Sequence, residues 1–140
     1  MLRRHMTAAD KKRQREAIRF WREQAARDRA TAKSILKSKH YDWSLFLYHL
    51  ALEKLLKALV VAAGETPPYT HNLLKLARLA GLAPTATQEE WFDQVTKFQL
   101  EARYPAQKLA LHRLATPPYS RLWHHRCDRL YLWLEEAFDA

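Results

Sequence analysis

Apolar residues recur with a helical period along most of the chain, and the two longest stretches of this kind lie in its first half. Between Thr7 and Ser38 they fall near every third or fourth position, and Arg and Lys fill most of the others, which predicts one long amphipathic helix. A second helix is predicted from about Trp43 to Ala63, with Asp42 as its N-cap. Its broad apolar face is typical of the most buried helix of a bundle, and consists of Leu45, Phe46, Leu52, Leu55, Leu56, Leu59 and Val60.

Two shorter helices are predicted in the middle of the chain. The first covers residues 71–81 and ends at Gly81, because glycine readily adopts the left-handed conformation that closes many helices. The second begins at Thr87 and continues to about Ala102. Thr87 and Glu90 have the spacing of a capping box, in which each side chain bonds to the backbone of the other residue.

The stretch LEARYPAQK, residues 100–108, interrupts this pattern. Proline lacks a backbone N–H and clashes with the preceding turn, so Pro105 is expected to stop the helix that arrives from Thr87. Residues 109–114 are then predicted as a short apolar turn, and Pro117 opens the last helix, because proline suits the first helical turn. An arginine and a tyrosine lie directly at the break, which makes it a candidate site as well as a helix end.

Composition supports a helical fold. The chain contains only two glycines in 140 residues and is rich in Ala, Leu, Lys, Arg, Glu and Gln, which are strong helix formers. Five helical segments with short connections predict an all-α fold, an antiparallel up-and-down bundle of four to five helices. We expect residues 1–140 to form one domain of this kind.

The net charge of +9 lies entirely in the N-terminal part of the chain. Residues 1–39 hold 13 Lys and Arg against 4 Asp and Glu, whereas residues 40–140 hold 11 of each. Such a basic helix could bind nucleic acid or an acidic protein. The alternative is a long solvated helix whose polar face is basic, and the sequence leaves both interpretations open.

Several kinds of site are not indicated. The sequence has no HExxH, no pair of CxxC motifs, no Asp-rich loop and no glycine-rich loop, so we expect no metal, no P-loop nucleotide site and no cofactor. Cys127 is the single cysteine, which fits a packing residue in a reducing compartment. No apolar run reaches the length of a membrane span, and we expect a cytoplasmic protein without membrane contact.

The second helix carries one chemical feature on its buried face. His49, Glu53 and Lys57 are spaced four residues apart, so they share one side of the helix. A carboxylate in the most buried helix should be paired, because an unpaired buried charge is costly, and Lys57 or Arg103 are its expected partners. The alternative is an ordinary surface pair of Glu53 and Lys57.

Three motifs, in this order along about residues 15–138, resemble the HEPN domain family. That family has a Q-A-A-E-K-x-x-K-A helix, a P-x-T-H-x-L loop and an R-Y-P segment. The chain departs from it at Leu50, where the family usually has Gln, and at Leu52, where it has Ala; the long basic N-terminal segment is also not general in the family. The matching positions are Glu53, Lys54, Lys57 and Ala58 for the helix, Thr70, His71 and Leu73 for the loop, and Arg103, Tyr104 and Pro105 for the last segment.

The resemblance implies a helical bundle that forms a homodimer and that is often encoded beside a nucleotidyltransferase, in modules of the toxin–antitoxin type. Some members are metal-independent endoribonucleases that use an Arg followed by a His with four to six residues between. In them His handles the 2′-hydroxyl proton and Arg stabilises the charge on the phosphate. No His of this chain has an Arg at that spacing, so the sequence gives no firm indication of an enzyme and favours a non-catalytic member.

Three hypotheses follow. The first is a non-catalytic bundle that dimerises and binds a nucleotidyltransferase, a nucleotide or both. The second is an endoribonuclease of divergent geometry, in which Arg103 works with His112 or His71. The third is a nucleic-acid-binding module that uses the basic N-terminal helix. No catalytic residues are assigned under the first hypothesis, and its binding groove is predicted to consist of Glu53, Lys57, His71, Arg103, Tyr104 and Lys108.

Overall fold

The computed structural model describes residues 5–139 and contains only helices over that range. The all-α fold predicted from the sequence is therefore confirmed. Residues 1–4, which belong to the predicted basic segment 1–39, lie outside the described residues. The described part has six helices, one more than the largest number expected. They are α1 (Ala8–Lys37), α2 (Tyr41–Ala62), α3 (Leu73–Leu79), α4 (Ala86–Glu101), α5 (Pro105–Leu114) and α6 (Pro117–Ala137).

Helix α2 is the centre of the bundle, as its broad apolar face predicts. More than half of its residues are buried, and all five other helices pack against it. Helix α1 lies along α2, where Ala25 and Ala32 are fully buried; small side chains at these positions let the two helices approach closely. Among residues 5–139, no helix combines the length and the apolar character that crossing a membrane requires.

The predicted start of α4 is wrong by two residues. Helix α4 begins after Thr85, whose hydroxyl accepts the Gln88 N–H while the Gln88 side chain accepts the Thr85 N–H. This is a complete capping box, so the one predicted at Thr87 and Glu90 does not form. Sequence spacing cannot separate two overlapping candidates of this kind, and the extended backbone at Thr85, directly after Pro84, decides between them.

The start of α2 and the segment after Pro105 also differ from the prediction. His40, and not Asp42, is the N-cap of α2; the Asp42 carboxylate lies inside the first turn and accepts the Trp43 N–H. Residues 105–114 form the ten-residue helix α5 and not a short turn. Pro105 both stops α4 and begins α5, because the fixed backbone angle of proline suits a first helical position.

A polar network joins α1 to α6 across the edge of α2. Asp128 on α6 accepts hydrogen bonds from the Tyr48 hydroxyl and from Arg29, whose Nη2 lies 3.1 Å away. Lys33 Nζ is 3.3 Å from the same carboxylate. Burial alone would raise the pKa of Asp128, but the hydrogen bonds from Tyr48, Arg29 and Lys33 outweigh it and the pKa is lowered. Part of the basic charge of α1 therefore serves to hold α6.

A histidine lies beside this network. His124 is 5% exposed, and its Nε2 is 3.0 Å from the Ser44 hydroxyl. Its ring packs edge-on against Tyr48. Burial lowers the pKa of His124 to about 4, because the charged ring would lose its hydration there. The folded protein therefore holds His124 in its neutral form near pH 7.

Removal of the Asp128 carboxylate should destabilise the fold. We expect Asp128→Ala to lower the free energy of unfolding by about 2 kcal/mol, because Tyr48 and Arg29 lose their shared partner. Glu135→Ala removes a half-exposed ion pair with Arg22 and should cost less than about 1 kcal/mol. Urea unfolding followed by circular dichroism measures both. Equal losses for the two variants would contradict the role given to Asp128.

The buried histidine should make stability depend on pH. The unfolded state takes up a proton near pH 6.5, whereas folded His124 does so only near pH 4. The contribution of His124 to stability is therefore fully present above pH 6.5 and is lost as the pH falls toward 4, by about 3 kcal/mol for a shift of this size. Urea unfolding at several pH values should show a smaller loss for His124→Gln, and an unchanged loss for the exposed neighbour in His125→Gln. Identical pH profiles for His124→Gln and the wild type would contradict this assignment.

Candidate functional site

Glu53 is the centre of the candidate site. It lies on α2, is 5% exposed and faces the loop between α2 and α3. Its Oε2 accepts a hydrogen bond from Lys57 Nζ at 3.2 Å, one turn further along the helix. The spacing of four residues thus predicts one contact correctly. The alternative of a surface pair is wrong, because the carboxylate is buried.

The second partner of Glu53 is His71, which the sequence did not predict in that role. The His71 Nδ1 lies 2.7 Å from Glu53 Oε1, so the ring donates its Nδ1 proton to the carboxylate. This leaves Nε2 as the ring nitrogen that faces away from Glu53. The His71 side chain is 27% exposed, and Nε2 has no hydrogen-bond partner within residues 5–139. It can therefore accept a hydrogen bond from a ligand, or donate one when the ring is charged.

The loop that carries His71 is held at its α3 end. Asn72, the next residue, is the N-cap of α3 and accepts the Lys75 N–H. The Leu73 N–H donates to the Thr96 hydroxyl on α4 at 3.1 Å. His71 is thus placed by three helices, and its position follows from the packing of α3 and α4 and not from the loop alone.

His49 on α2 contacts the backbone of the same loop. It is fully buried on α2, and its Nε2 donates to the His71 backbone carbonyl at 3.1 Å. The same nitrogen is 3.9 Å from Glu53 Oε1. Burial is the main cause that lowers the pKa of His49 to about 4, and the positive charge of Arg103 lowers it further. His49 therefore acts as a neutral hydrogen-bond donor that fixes the His71 backbone.

Arg103 lies in the turn that follows α4, and its charge reaches this cluster at His49. Its side chain is exposed, and its charge is close enough to act on the pKa of His49. Within residues 5–139 it makes no ion pair shorter than 4.0 Å. The arginine of the R-Y-P segment thus adds an exposed positive charge whose effect reaches His49, and it is not the direct partner of Glu53.

Tyr104 and Lys108 lie apart from the Glu53 group. Tyr104 is the N-cap of α5 and is 54% exposed. The Lys108 ammonium lies 5.4 Å from the centre of the Trp43 ring, at the start of α2. No hydrogen bond or ion pair joins either residue to Glu53 in the described part of the chain. Their place in one groove with Glu53 stays a prediction that the geometry does not support directly.

Two aromatic residues that the sequence did not predict for the site border the cluster. Tyr69 is 93% exposed, and its ring lies edge-on to His71 with 5.7 Å between the centres. Trp21 of α1 lies 5.5 Å from Lys57 Nζ. The signal for Tyr69 was present in the sequence, since a tyrosine two positions before the motif histidine stands in a proline-stiffened loop. An exposed ring of this kind offers a face on which a nucleotide base can stack.

The charges of the cluster favour an anionic ligand. Lys57 neutralises Glu53, and Arg103 makes no ion pair within residues 5–139, so Arg103 adds an exposed positive charge. Arginine presents several donors in a plane, which suits phosphate oxygens. Within residues 5–139, no three His, Cys, Asp or Glu side chains are arranged to hold a metal ion. The arrangement can therefore bind phosphate through arginine and histidine side chains.

Comparisons with known proteins agree with this structure. The fold is similar to the crystal structure of TT1696 from Thermus thermophilus, with a TM-score of 0.72 and 26% sequence identity over 85% of this chain and 96% of that one. The comparison with curated proteins found no match. The family model described as HEPN domain matches residues 18–131, which include Glu53, His71 and Arg103. The chain therefore belongs to the HEPN domain family.

Proposed function

We propose that this chain is a non-catalytic HEPN bundle that forms a homodimer and binds a partner nucleotidyltransferase, a nucleotide or both, in a module of the toxin–antitoxin type. The observation that carries the proposal is the bond between the buried Glu53 carboxylate and the partly exposed His71 ring; Arg103, whose charge acts on the pKa of the neighbouring His49, supports it. The absence of any Arg-to-His spacing of the ribonuclease type in the sequence supports the non-catalytic interpretation.

The nucleotide part of the proposal uses three groups. Arg103 contacts the phosphate oxygens with its unpaired guanidinium. His71, held in place by Glu53 and His49, donates a hydrogen bond from Nε2 to the phosphate when its ring is charged. Tyr69 is exposed next to His71 and stacks on the base. Glu53 does not contact the ligand; it fixes the orientation of the His71 ring.

The partner part of the proposal is tested by expression with a nucleotidyltransferase. The gene beside the one that encodes this chain, where it encodes such an enzyme, is expressed together with tagged chain. Association of the two proteins through affinity purification and gel filtration supports the proposal. Purification of the tagged chain alone, with both proteins soluble, counts against it.

One observation favours a second candidate function, an endoribonuclease of divergent geometry. The Glu53 carboxylate accepts the Nδ1 proton of His71, an arrangement that orients histidine as a general base. In this candidate, His71 takes the proton of the 2′-hydroxyl and Arg103 stabilises the developing charge. The missing family motif is the reason that it ranks second.

Loss of Arg103 should weaken nucleotide binding. We expect Arg103→Ala to lower the affinity for ATP about tenfold, because one charge-assisted phosphate contact is worth about 1.5 kcal/mol or more. Arg27→Ala removes an exposed arginine of α1 and should leave the affinity unchanged. Isothermal titration calorimetry measures all three proteins. An equal affinity in the wild type and Arg103→Ala would contradict the proposed phosphate contact.

RNA cleavage separates the two candidate functions. A fluorogenic single-stranded RNA is incubated with wild type, His71→Ala and Arg103→Ala in the presence of EDTA. The non-catalytic proposal expects the same background rate for all three proteins. A wild-type rate at least about a hundredfold above both variants, unchanged in the exposed control His125→Ala, would replace the first proposal by the second.

A further inference from the structure

Four residues of α6 form a surface stripe that the candidate site does not use. Arg129 precedes Leu132 and Trp133 by three and four residues. Glu136 follows them by four and three residues, so all four share one side of the helix. Arg129 and Glu136 are exposed, and Leu132 is 54% exposed although it is a large apolar side chain. We call these four residues the α6 face.

The α6 face borders a groove between α6 and the start of α4. The groove has a volume of about 490 Å³, and all four residues of the face line it. Trp91 of α4 lines its opposite side. The Trp133 ring also packs against the core residue Phe92, with 6.3 Å between the ring centres, so its position is fixed by the fold. The four residues therefore lie together on one concave surface with an apolar centre.

The two charges of the α6 face have opposite signs and lie at its two ends. Within residues 5–139, neither Arg129 nor Glu136 has an ion-pair partner. Because the face carries one charge of each sign, it does not favour a nucleic acid, which binds through positive charges. It favours a surface that presents an acid opposite Arg129, a base opposite Glu136 and apolar side chains between them.

A second copy of the α6 face meets this requirement. In a contact with two-fold symmetry, a residue i of one copy contacts a residue j of the other, and j contacts i in return. If the axis passes between Leu132 and Trp133, the two α6 helices run antiparallel and Arg129 of each copy faces Glu136 of the other. The residues nearest the axis are apolar, so no like charges meet there. A parallel pair would place each charge beside its own copy, which is unfavourable.

The dimensions of α6 suit such a contact. Seven residues separate Arg129 from Glu136, which is about 10 Å along the helix, and packed helices lie about 8–10 Å apart. Exposed ion pairs contribute little to stability, whereas tryptophan is enriched among the residues that dominate interfaces. The apolar centre therefore supplies most of the affinity, and the two charges set the antiparallel orientation.

We propose that the α6 face is the homodimer surface of this protein. Two α6 helices pack antiparallel, with Leu132 and Trp133 at the two-fold axis and with Arg129 of each copy paired to Glu136 of the other. The inference rests on the homodimer of the proposed function and names its surface. Neither Glu53 nor His71 lines the groove, so nucleotide binding can be measured independently of the dimer.

Charge reversal tests the pairing. Arg129→Glu and Glu136→Arg each place like charges opposite one another, and each should weaken dimerisation at least about a hundredfold. The double variant Arg129→Glu with Glu136→Arg exchanges the two signs and should dimerise as the wild type does. Arg121→Glu reverses an exposed charge of α6 outside the face and should have no effect. Sedimentation velocity over a range of protein concentrations gives the dissociation constant of each dimer.

A mixture of the two single variants provides a stricter test. One copy then presents two acidic positions and the other presents two basic ones, so the pairs across the axis again have opposite signs. We expect the mixture to form a heterodimer although neither variant dimerises alone, and we expect high salt to weaken it. Circular dichroism shows that each variant remains folded, which is expected because both substituted positions are exposed.

Three outcomes overturn the inference. The first is a wild-type dimer that neither single reversal weakens; the homodimer then uses another face and the proposed function stands. The second is a dimer that both reversals weaken without recovery in the double variant or in the mixture, because the two residues then do not pair across a two-fold axis. The third is a wild type that stays monomeric at its highest soluble concentration.

The third outcome also removes the homodimer from the proposed function, and ATP binding by that monomer leaves the nucleotide part intact. The variant Leu132→Ser then identifies the occupant of the α6 face. If it abolishes association of the monomer with the nucleotidyltransferase, the face docks a partner protein and the inference fails. If the wild type is a dimer and Leu132→Ser weakens it together with the single reversals, the inference is supported.

Discussion

The buried carboxylate of Glu53 is the constraint on which the candidate site depends. A charge in the most buried helix is stable only with partners, because burial removes its hydration. Lys57 provides one partner from the next turn of the same helix, and His71 provides the other from the loop before α3. The need to pair Glu53 therefore fixes the loop against α2. It also leaves one edge of the His71 ring partly exposed, next to the exposed Tyr69.

The basic residues of α1 have two distinct roles. Arg22, Arg29 and Lys33 pair with acids of α6, so they hold the two long helices together across the edge of α2. Others, such as Lys11 and Lys12, are exposed. The charge excess of the N-terminal segment is thus partly structural, which weakens the argument that it exists to bind nucleic acid. A count of charges along the sequence does not separate these roles, because the acids that pair with α1 lie about a hundred residues later.

Two predictions made from local sequence rules were wrong: the capping box of α4 and the short turn after Pro105. Thr87 and Glu90 satisfy the spacing of a capping box, but Thr85 and Gln88 satisfy it as well and form it. The segment after Pro105 contains too few regularly spaced apolar residues to predict a helix by burial, and α5 indeed buries only Leu111. Its helical form follows from Pro105 at the first position and from strong helix formers behind it. Amphipathic periodicity detects helices through burial, so it misses a helix that is hardly buried.

The helical fold, the central place of α2 and the pairing of Glu53 with Lys57 were all predictable from the sequence, since they follow from periodicities of three to four residues along one segment. The family motifs also brought His71 and Arg103 into the predicted site. Only the tertiary structure decided that His71, and not Arg103, bonds to Glu53, and that Lys108 lies over Trp43. These contacts join residues from separate helices, and their geometry depends on how the helices pack, which no local spacing encodes.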